Sequence, residues 1–242
     1  MKNSNNRKLK IIAMIPARLN SKRVKKKNLR LIKNKPLVSY TIEIVKKCKL
    51  FDEIYLNSES EIFQNIAKKH NIDFYLRNKK FSKDTSTNDE FALDFITNIK
   101  GDILIQILPT SPLISLNEIN SFVNSMINKK YDTLVSVEEK QIACVYKNKE
   151  INFNKKKKNP PSQTMEPIKV YSTVLMGWTY NQFINNMKIL GSAYHGGKGK
   201  TGYFPLEGLS TLDIDNEVDF RIVEKIIESG NYRKKTKIRY YS

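Results

Sequence analysis

Asp102-Ile103-Leu104-Ile105-Gln106-Ile107-Leu108, followed at once by Pro109-Thr110-Ser111-Pro112, reads as a strand that ends abruptly in a loop. A run of Ile and Leu broken only by Gln106 has no polar face to offer water, as expected of a central strand covered on both sides. Moving toward the N-terminus, Thr87 with Glu90 caps a helix, and Asp73–Arg77 reads as a strand. Before these, Ser58 with Glu61 reads as the capping box of a helix over 59–70, since each side chain can satisfy a free N–H at a helix start. Ile54–Asn57 is a strand, and Leu37, Tyr40, Ile44 and Val45 give Pro36–Lys49 a helical spacing. Lys10–Ile15 is the first strand. Toward the C-terminus, Ser115 with Glu118 caps another helix, and Asp132–Val137 is a further strand. This alternation predicts an α/β fold with a mostly parallel sheet, right-handed crossovers and helices on both faces. Ligands in such sheets sit beyond the carboxyl ends of the strands, so the loops after Ile15 and Leu108 should share one functional edge.

The pattern breaks after residue 138. Ala143–Tyr146 and Lys169–Met176 look extended, separated by Lys155–Lys158 and Pro160-Pro161. The stretch is too polar for a core of its own, which predicts an arm over about 139–176 within a single domain spanning 1–242. Globular signals then return, with a helix over Tyr180–Met187, a strand over Thr211–Ile214 and a helix over Glu217–Ser229.

A chain of 242 residues with 40% apolar side chains can bury one full α/β core. Its net charge of +19 admits two explanations, polyanion binding and a Lys-rich composition. The dispersal of the cations favours composition, and nucleic-acid binding stays as an alternative. Cys48 and Cys144 make no disulfide framework or zinc knuckle, and suit a reducing, cytoplasmic setting. His70 and His195 are too few for a histidine-rich metal site. Leu9–Pro16 mimics a signal peptide, but the cations that follow make a buried first strand the better reading. No run reaches the about 18 apolar residues of a membrane span.

Two motifs could carry chemistry. Ile15-Pro16-Ala17-Arg18-Leu19-Asn20-Ser21-Lys22-Arg23, running on to Lys27-Asn28, delivers several cations and exposed N–H groups directly after a strand. Such a loop can wrap a triphosphate and neutralise charge on a leaving group. Asp213-Ile214-Asp215, read as a strand end, puts both carboxylates on one face, an arrangement suited to Mg²⁺. Gly196-Gly197-Lys198-Gly199-Lys200-Thr201 imitates a phosphate loop but lacks the first glycine, so it reads as a flexible turn with His195 exposed.

The order of these residues resembles the acylneuraminate cytidylyltransferase family, which includes the CMP-sialic acid synthetases. The matches are Ala17, Arg18, Ser21, Lys22, Arg23, Lys27 and Asn28, then Leu76-Arg77, Asp84-Thr85, Pro109-Thr110-Ser111-Pro112-Leu113 and Asp213-Ile214-Asp215. The resemblance implies a three-layer, Rossmann-like nucleotidyltransferase fold. It also implies attack by the anomeric hydroxyl of a nine-carbon keto-sugar acid on the α-phosphate of CTP, with Mg²⁺ as cofactor. Carried over by position, Arg18, Ser21 and Lys27 would contact the triphosphate, with Ala17 and Lys22 beside them. Asn28 would help to seat CTP, and Arg77 would line the cytidine pocket. Arg18, Lys27, Asp213 and Asp215 would form the catalytic set, with Asp213 and Asp215 as metal ligands. Gln163, Lys169 and Tyr171 are the sugar-side candidates. In the family the middle segment is a dimerisation arm, which implies a homodimer, with no membrane or nucleic-acid partner.

Two departures stand out. Leu108 replaces the family's glutamine before Pro-Thr-Ser-Pro, and Ser162 replaces an arginine while Ser172-Thr173 replace Asn-Gly. These leave the acceptor open. The eight-carbon acid of lipopolysaccharide cores is the nearest rival, although that family's loop has Ser-Thr-Arg and Lys-Pro where this chain has Ser-Lys-Arg and Lys-Asn.

Overall fold

The computed structural model describes residues 7–83, 85–158, 160–230 and 240. In chain order, β1 (Ile11–Pro16) leads through a 3₁₀ turn into the short hairpin of β2 (Leu31–Ile32) and β3 (Lys35–Pro36). Then follow α1 (Leu37–Val45), β4 (Glu53–Ser58), α2 (Ile62–His70), β5 (Asp73–Leu76) and α3 (Asn88–Asn98). The chain continues through β6 (Ile103–Ile107), α4 (Leu116–Asn128) and β7 (Thr133–Lys140), then a small hairpin of β8 (Val145–Tyr146) and β9 (Lys149–Glu150). It closes with β10 (Ile168–Thr179), α5 (Tyr180–Leu190), β11 (Thr201–Pro205) and α6 (Glu217–Ser229).

Seven strands form the main sheet in the order β11-β7-β10-β6-β1-β4-β5, with β6 at its centre. All neighbours pair parallel except β10, which runs antiparallel between β6 and β7. Strand alternation in β1 divides the core. Ile11, Ala13 and Ile15 face α1, α2 and α4 through Ile42, Phe63 and Phe122. Ile12 and Met14 face α3 and α5 through Phe95 and Phe183, with Trp178 fully buried among them. That is the three-layer arrangement the alternation predicted. Gly177 is where β10 and α4 come closest, because a Cβ there would lie 2.5 Å from Met126 Sδ.

Local chemistry explains which helix boundaries follow the sequence. Thr87 with Glu90 and Ser115 with Glu118 make complete capping boxes. Ser58 does not: it ends β4, fully buried, and its hydroxyl accepts only from Ser60 N–H. The helix begins at Ile62 with no side-chain cap, because pairing with β5 holds Ser58 in the sheet. Asn216 with Asp219 forms a third box, at the start of α6.

Two expectations in the second half are corrected. Residues 211–214 are not a strand; a 3₁₀ turn over Gly208–Thr211 runs into extended chain anchored by Ile214 N–H on Thr110 C=O at 2.9 Å. Residues 174–178, at and just beyond the end of the expected arm, are fully buried in the sheet or line its core, so β10 is half arm and half core strand. The change occurs at a register shift between Tyr171 and Met176. Ser136 braces it, accepting from Leu175 N–H at 2.9 Å and from the Ser172 hydroxyl at 2.8 Å.

Candidate active site

The basic loop is built around Ser21. Its hydroxyl donates to Val24 C=O at 2.5 Å and accepts from Lys27 N–H at 2.9 Å, closing a turn in which Lys26 takes a left-handed backbone. Asn28 is buried, and its Nδ2 donates to Arg18 C=O at 3.1 Å while Oδ1 has no partner. Ala17 is fully buried, with its N–H on Asn57 C=O at 2.9 Å, so a larger side chain would push the loop off the strand end.

Three cations in and just after this loop reach α6 or the segment before it. Arg23 Nη2 bonds Asp215 Oδ1 at 2.7 Å, Lys27 Nζ donates to Ile214 C=O, and Arg30 pairs with Glu217 and stacks 3.9 Å over Phe220. Ile214 is the anchor, buried with Val24, Leu113 and Phe220. Ile214 is fully buried between two half-buried aspartates although no strand forms there, because a hydrophobic pocket holds it. Asp213 accepts from the Ser111 hydroxyl at 3.3 Å.

These elements enclose a cleft of about 570 Å³ at the carboxyl edge of the sheet. Arg18, Ser21, Lys22, Lys27, Asn28, Arg77 and Asp215 all line it, with Leu108, Pro109 and Thr110 from the loop after β6. Ala17 and Asp213 are not among the residues that line it, and Asp84 lies outside the described residues. Arg23 and Lys83 also face the cleft, so six cations meet one carboxylate. Burial pulls the Lys27 ammonium below the ordinary lysine range; Asp213 and Asp215 oppose this, and Arg23 and Arg18 reinforce it. Such a concentration of positive charge calls for a polyanionic ligand.

Arg77 is buried against Phe91 and pairs with Glu59 at 2.9 Å. Burial pulls the Arg77 guanidinium below the ordinary arginine range, and Glu59 opposes this only in part. The metal question turns on donor number. Among the described residues no three His, Cys, Asp or Glu side chains converge. Mg²⁺ needs only one or two carboxylates when phosphate oxygens complete its shell. Asp215, which lines the cleft, fits that limited role, and Asp213, held on the Ser111 hydroxyl, stands two residues from it.

The sugar-side candidates lie apart. Gln163 and Lys169 are exposed on the arm, Lys169 within 3.8 Å of Glu139, and neither lines the cleft. Beside the cleft, and sharing Leu108, Ser86 and Asn88 with it, is a hollow of about 530 Å³ completed by Thr173, Tyr194 and His195. Tyr171 flanks it, with its ring 5.4 Å from His195. His195 is exposed, as expected, yet it belongs to this hollow. The sequence carried no signal for that, because Asp89 positions the segment by accepting from Ala193 and Tyr194 N–H across 104 and 105 residues. The glycine-rich turn that follows is ordered by Asn186, whose Nδ2 bonds Gly196 and Lys198 carbonyls.

Thr173 has φ +53°, a left-handed backbone rare for a β-branched residue. That conformation costs an L-residue about 1–2 kcal/mol, and glycine loses about 0.5–1 kcal/mol of that advantage through entropy. Thr173→Gly should therefore stabilise the protein by roughly 0.5–1 kcal/mol, read as a higher urea midpoint at unchanged slope. A lower midpoint would contradict the strain.

The comparisons with known proteins agree with this geometry. The profile of a family described as Cytidylyltransferase matches residues 12–207. The chain is 31% identical to an N-acylneuraminate cytidylyltransferase of Escherichia coli, over 93% of this chain and 54% of that protein. It is 26% identical to the post-translational flagellin modification protein B of Campylobacter coli, over 93% and 98% respectively. The chain thus spans about half the length of the first relative and nearly all of the second. Among solved structures, CMP:2-keto-3-deoxy-manno-octonic acid synthetase complexed with CTP superposes with a TM-score of 0.71. At 12% identity over 91% of this chain and 99% of that one, this likeness speaks for the fold alone. With the profile covering well over half of the chain, including the basic loop and every residue lining the cleft except Asp215, the chain belongs to the cytidylyltransferase family.

Proposed function

We propose that the protein joins CTP to a nine-carbon keto-sugar acid of the sialic, legionaminic or pseudaminic acid type, giving the CMP-sugar and pyrophosphate. The observation that carries this is the cleft itself, in which six cations and Asp215 face one space beyond the strand ends. Arg18, Lys22 and Lys27 bind the triphosphate and neutralise the pyrophosphate as it leaves. The sugar's anomeric oxygen forms a bond to the α-phosphorus, the bond from that phosphorus to the pyrophosphate oxygen breaks, and the hydroxyl proton passes to water. Asp213 and Asp215 would hold Mg²⁺, which when bound stabilises charge on the transferring phosphate. The hollow of Leu108, Thr173, Tyr194 and His195, flanked by Tyr171, takes the acceptor next to that phosphate.

The E. coli relative supports a sialic-type acceptor, and the loop's Ser21-Lys22-Arg23 and Lys27-Asn28 weigh against the eight-carbon acid. The cations converge on a concave cleft rather than forming a stripe with exposed aromatics, which disfavours nucleic acid as the ligand. A homodimer would bring Gln163 and Lys169 of one arm toward the neighbour's acceptor hollow. The exposed Ile142, Val145, Tyr146 and Ile151 on that arm support such an interface. Free Cys48 and Cys144 accord with a cytoplasmic setting, and among the described residues no helix is long and apolar enough to cross a membrane.

The test is pyrophosphate release from CTP and Mg²⁺ with a panel of nine-carbon keto-sugar acids, the eight-carbon acid serving as comparison. Turnover with at least one nine-carbon acid, by a protein that sediments as a dimer, is expected. No turnover with any of them would sink the assignment.

A further inference from the structure

Glu59 takes no part in the scheme above, yet its carboxylate joins the basic loop to Arg77. It sits in the turn between β4 and α2. Oε1 accepts the N–H of Leu19, in the basic loop, at 2.8 Å, and Oε2 accepts from Arg77 Nη2 at 2.9 Å. The pair is nearly sealed from water, with side-chain exposures of 4% for Arg77 and 9% for Glu59. Arg77 N–H also bonds Ser58 C=O at 3.0 Å, so the backbone beside each partner is tied as well. Arg77 Nε is buried without a partner, and Arg77 is one of the residues that line the cleft.

An ordinary buried ion pair would satisfy its two members and end there. This one reaches a third group, the peptide that follows Arg18, and it leaves one buried arginine donor, Nε, without a partner. A rigid carboxylate held between the phosphate-binding loop and Arg77 determines how far apart the two stand. On the CTP reading, with the basic loop on the triphosphate and Arg77 toward the base, that separation matches the span of the nucleotide, and a span set before binding removes the cost of ordering it afterwards.

We propose that Glu59 is a positioning residue for the nucleotide, setting CTP affinity by orienting Arg77 and the Arg18-Leu19 peptide together. The inference rests on the CTP reading of the cleft. Its prediction is a split: Glu59 variants weaken CTP binding without slowing the chemical step or altering acceptor binding.

The experiment uses the full chain with CTP, Mg²⁺ and the best nine-carbon acid, together with calorimetric titration of CTP alone. Glu59→Gln is the main variant. Its amide oxygen can serve Leu19 or Arg77 but not both, and its NH₂ opposes the donor that is left. The KM and Kd for CTP should rise roughly 10–100-fold, as expected for residues in direct contact, with kcat and acceptor KM within about threefold of wild type. Arg77→Met should raise the same constants, and adding Glu59→Gln to Arg77→Met should add much less than it does alone. The double variant also covers misfolding, since it removes both buried charges rather than stranding one. If wild type neither binds nor turns over CTP, the reading of the cleft fails first. If wild type is active but Glu59→Gln leaves the CTP constants unchanged, lowers kcat instead, or adds fully to Arg77→Met, the positioning role is overturned.

Discussion

Asp215→Asn should lower kcat by a factor of about 10² or more, the usual scale for loss of one electrostatic partner of the transition state. The substitution keeps the shape of the side chain and an oxygen to accept from Arg23. It therefore isolates charge. Asp215 is placed by its neighbours rather than by its own contacts: Ile214 is buried in the α6 cluster, and Asp215 N–H bonds Asp219 Oδ2 at 2.9 Å. Both survive in the variant. The Arg23–Asp215 pair is solvent-exposed, at 67% and 48%, so its loss should barely change stability. A fall in turnover with an unchanged unfolding midpoint would thus be a chemical effect. The Mg²⁺ concentration for half-maximal pyrophosphate release should rise in parallel. Near-normal turnover in Asp215→Asn would remove it from the metal role.

Lys27→Met carries the second large effect, a loss of about 10²–10³ in kcat/KM for CTP. Lys27 is half-buried between the loop and the Asp213-Ile214-Asp215 segment, and its ammonium holds Ile214 C=O. Methionine fills similar space and supplies no charge, so it leaves both the triphosphate and the carbonyl without their cation. Burial already disfavours the charge on Lys27, while Asp213 and Asp215 support it. A bound triphosphate adds further support, which makes this lysine more responsive to ligand than a solvated one. Lys27→Arg should recover only part of the loss, because a planar guanidinium cannot occupy the place of a compact ammonium. Steady-state kinetics at varied CTP decide it. Full activity in Lys27→Met would exclude the residue from the transition state.

Much of the fold was legible because its signals are local. The apolar runs of β1 and β6 are too short for helices and end in turn signals, as buried strands do, and Thr87 with Glu90 and Ser115 with Glu118 cap helices through contacts three residues apart. Ser58 with Glu61 has the same spacing and forms no cap, since pairing with β5 outweighs a local hydrogen bond. Thr201–Pro205 carries Gly202 and Pro205 and has little strand character of its own. It becomes β11 because β7 offers a free edge. The half-polar, half-apolar pattern of β10 was read as an arm, and only the sheet shows where the arm ends.

By itself, the sequence placed the loops after Ile15 and Leu108, and with the first of them Arg18, Lys22 and Lys27, at one sheet edge, since ligands of such sheets sit beyond the strand ends; Arg77 was assigned to the same site only by the family resemblance. Tertiary structure alone decided what joins them. Asp215 reaches Arg23 across 192 residues, Glu59 spans from Leu19 to Arg77, and Asp89 carries His195 to the hollow beside Leu108. Those contacts depend on the packing of separate elements against one another, which leaves no periodicity or spacing along the chain.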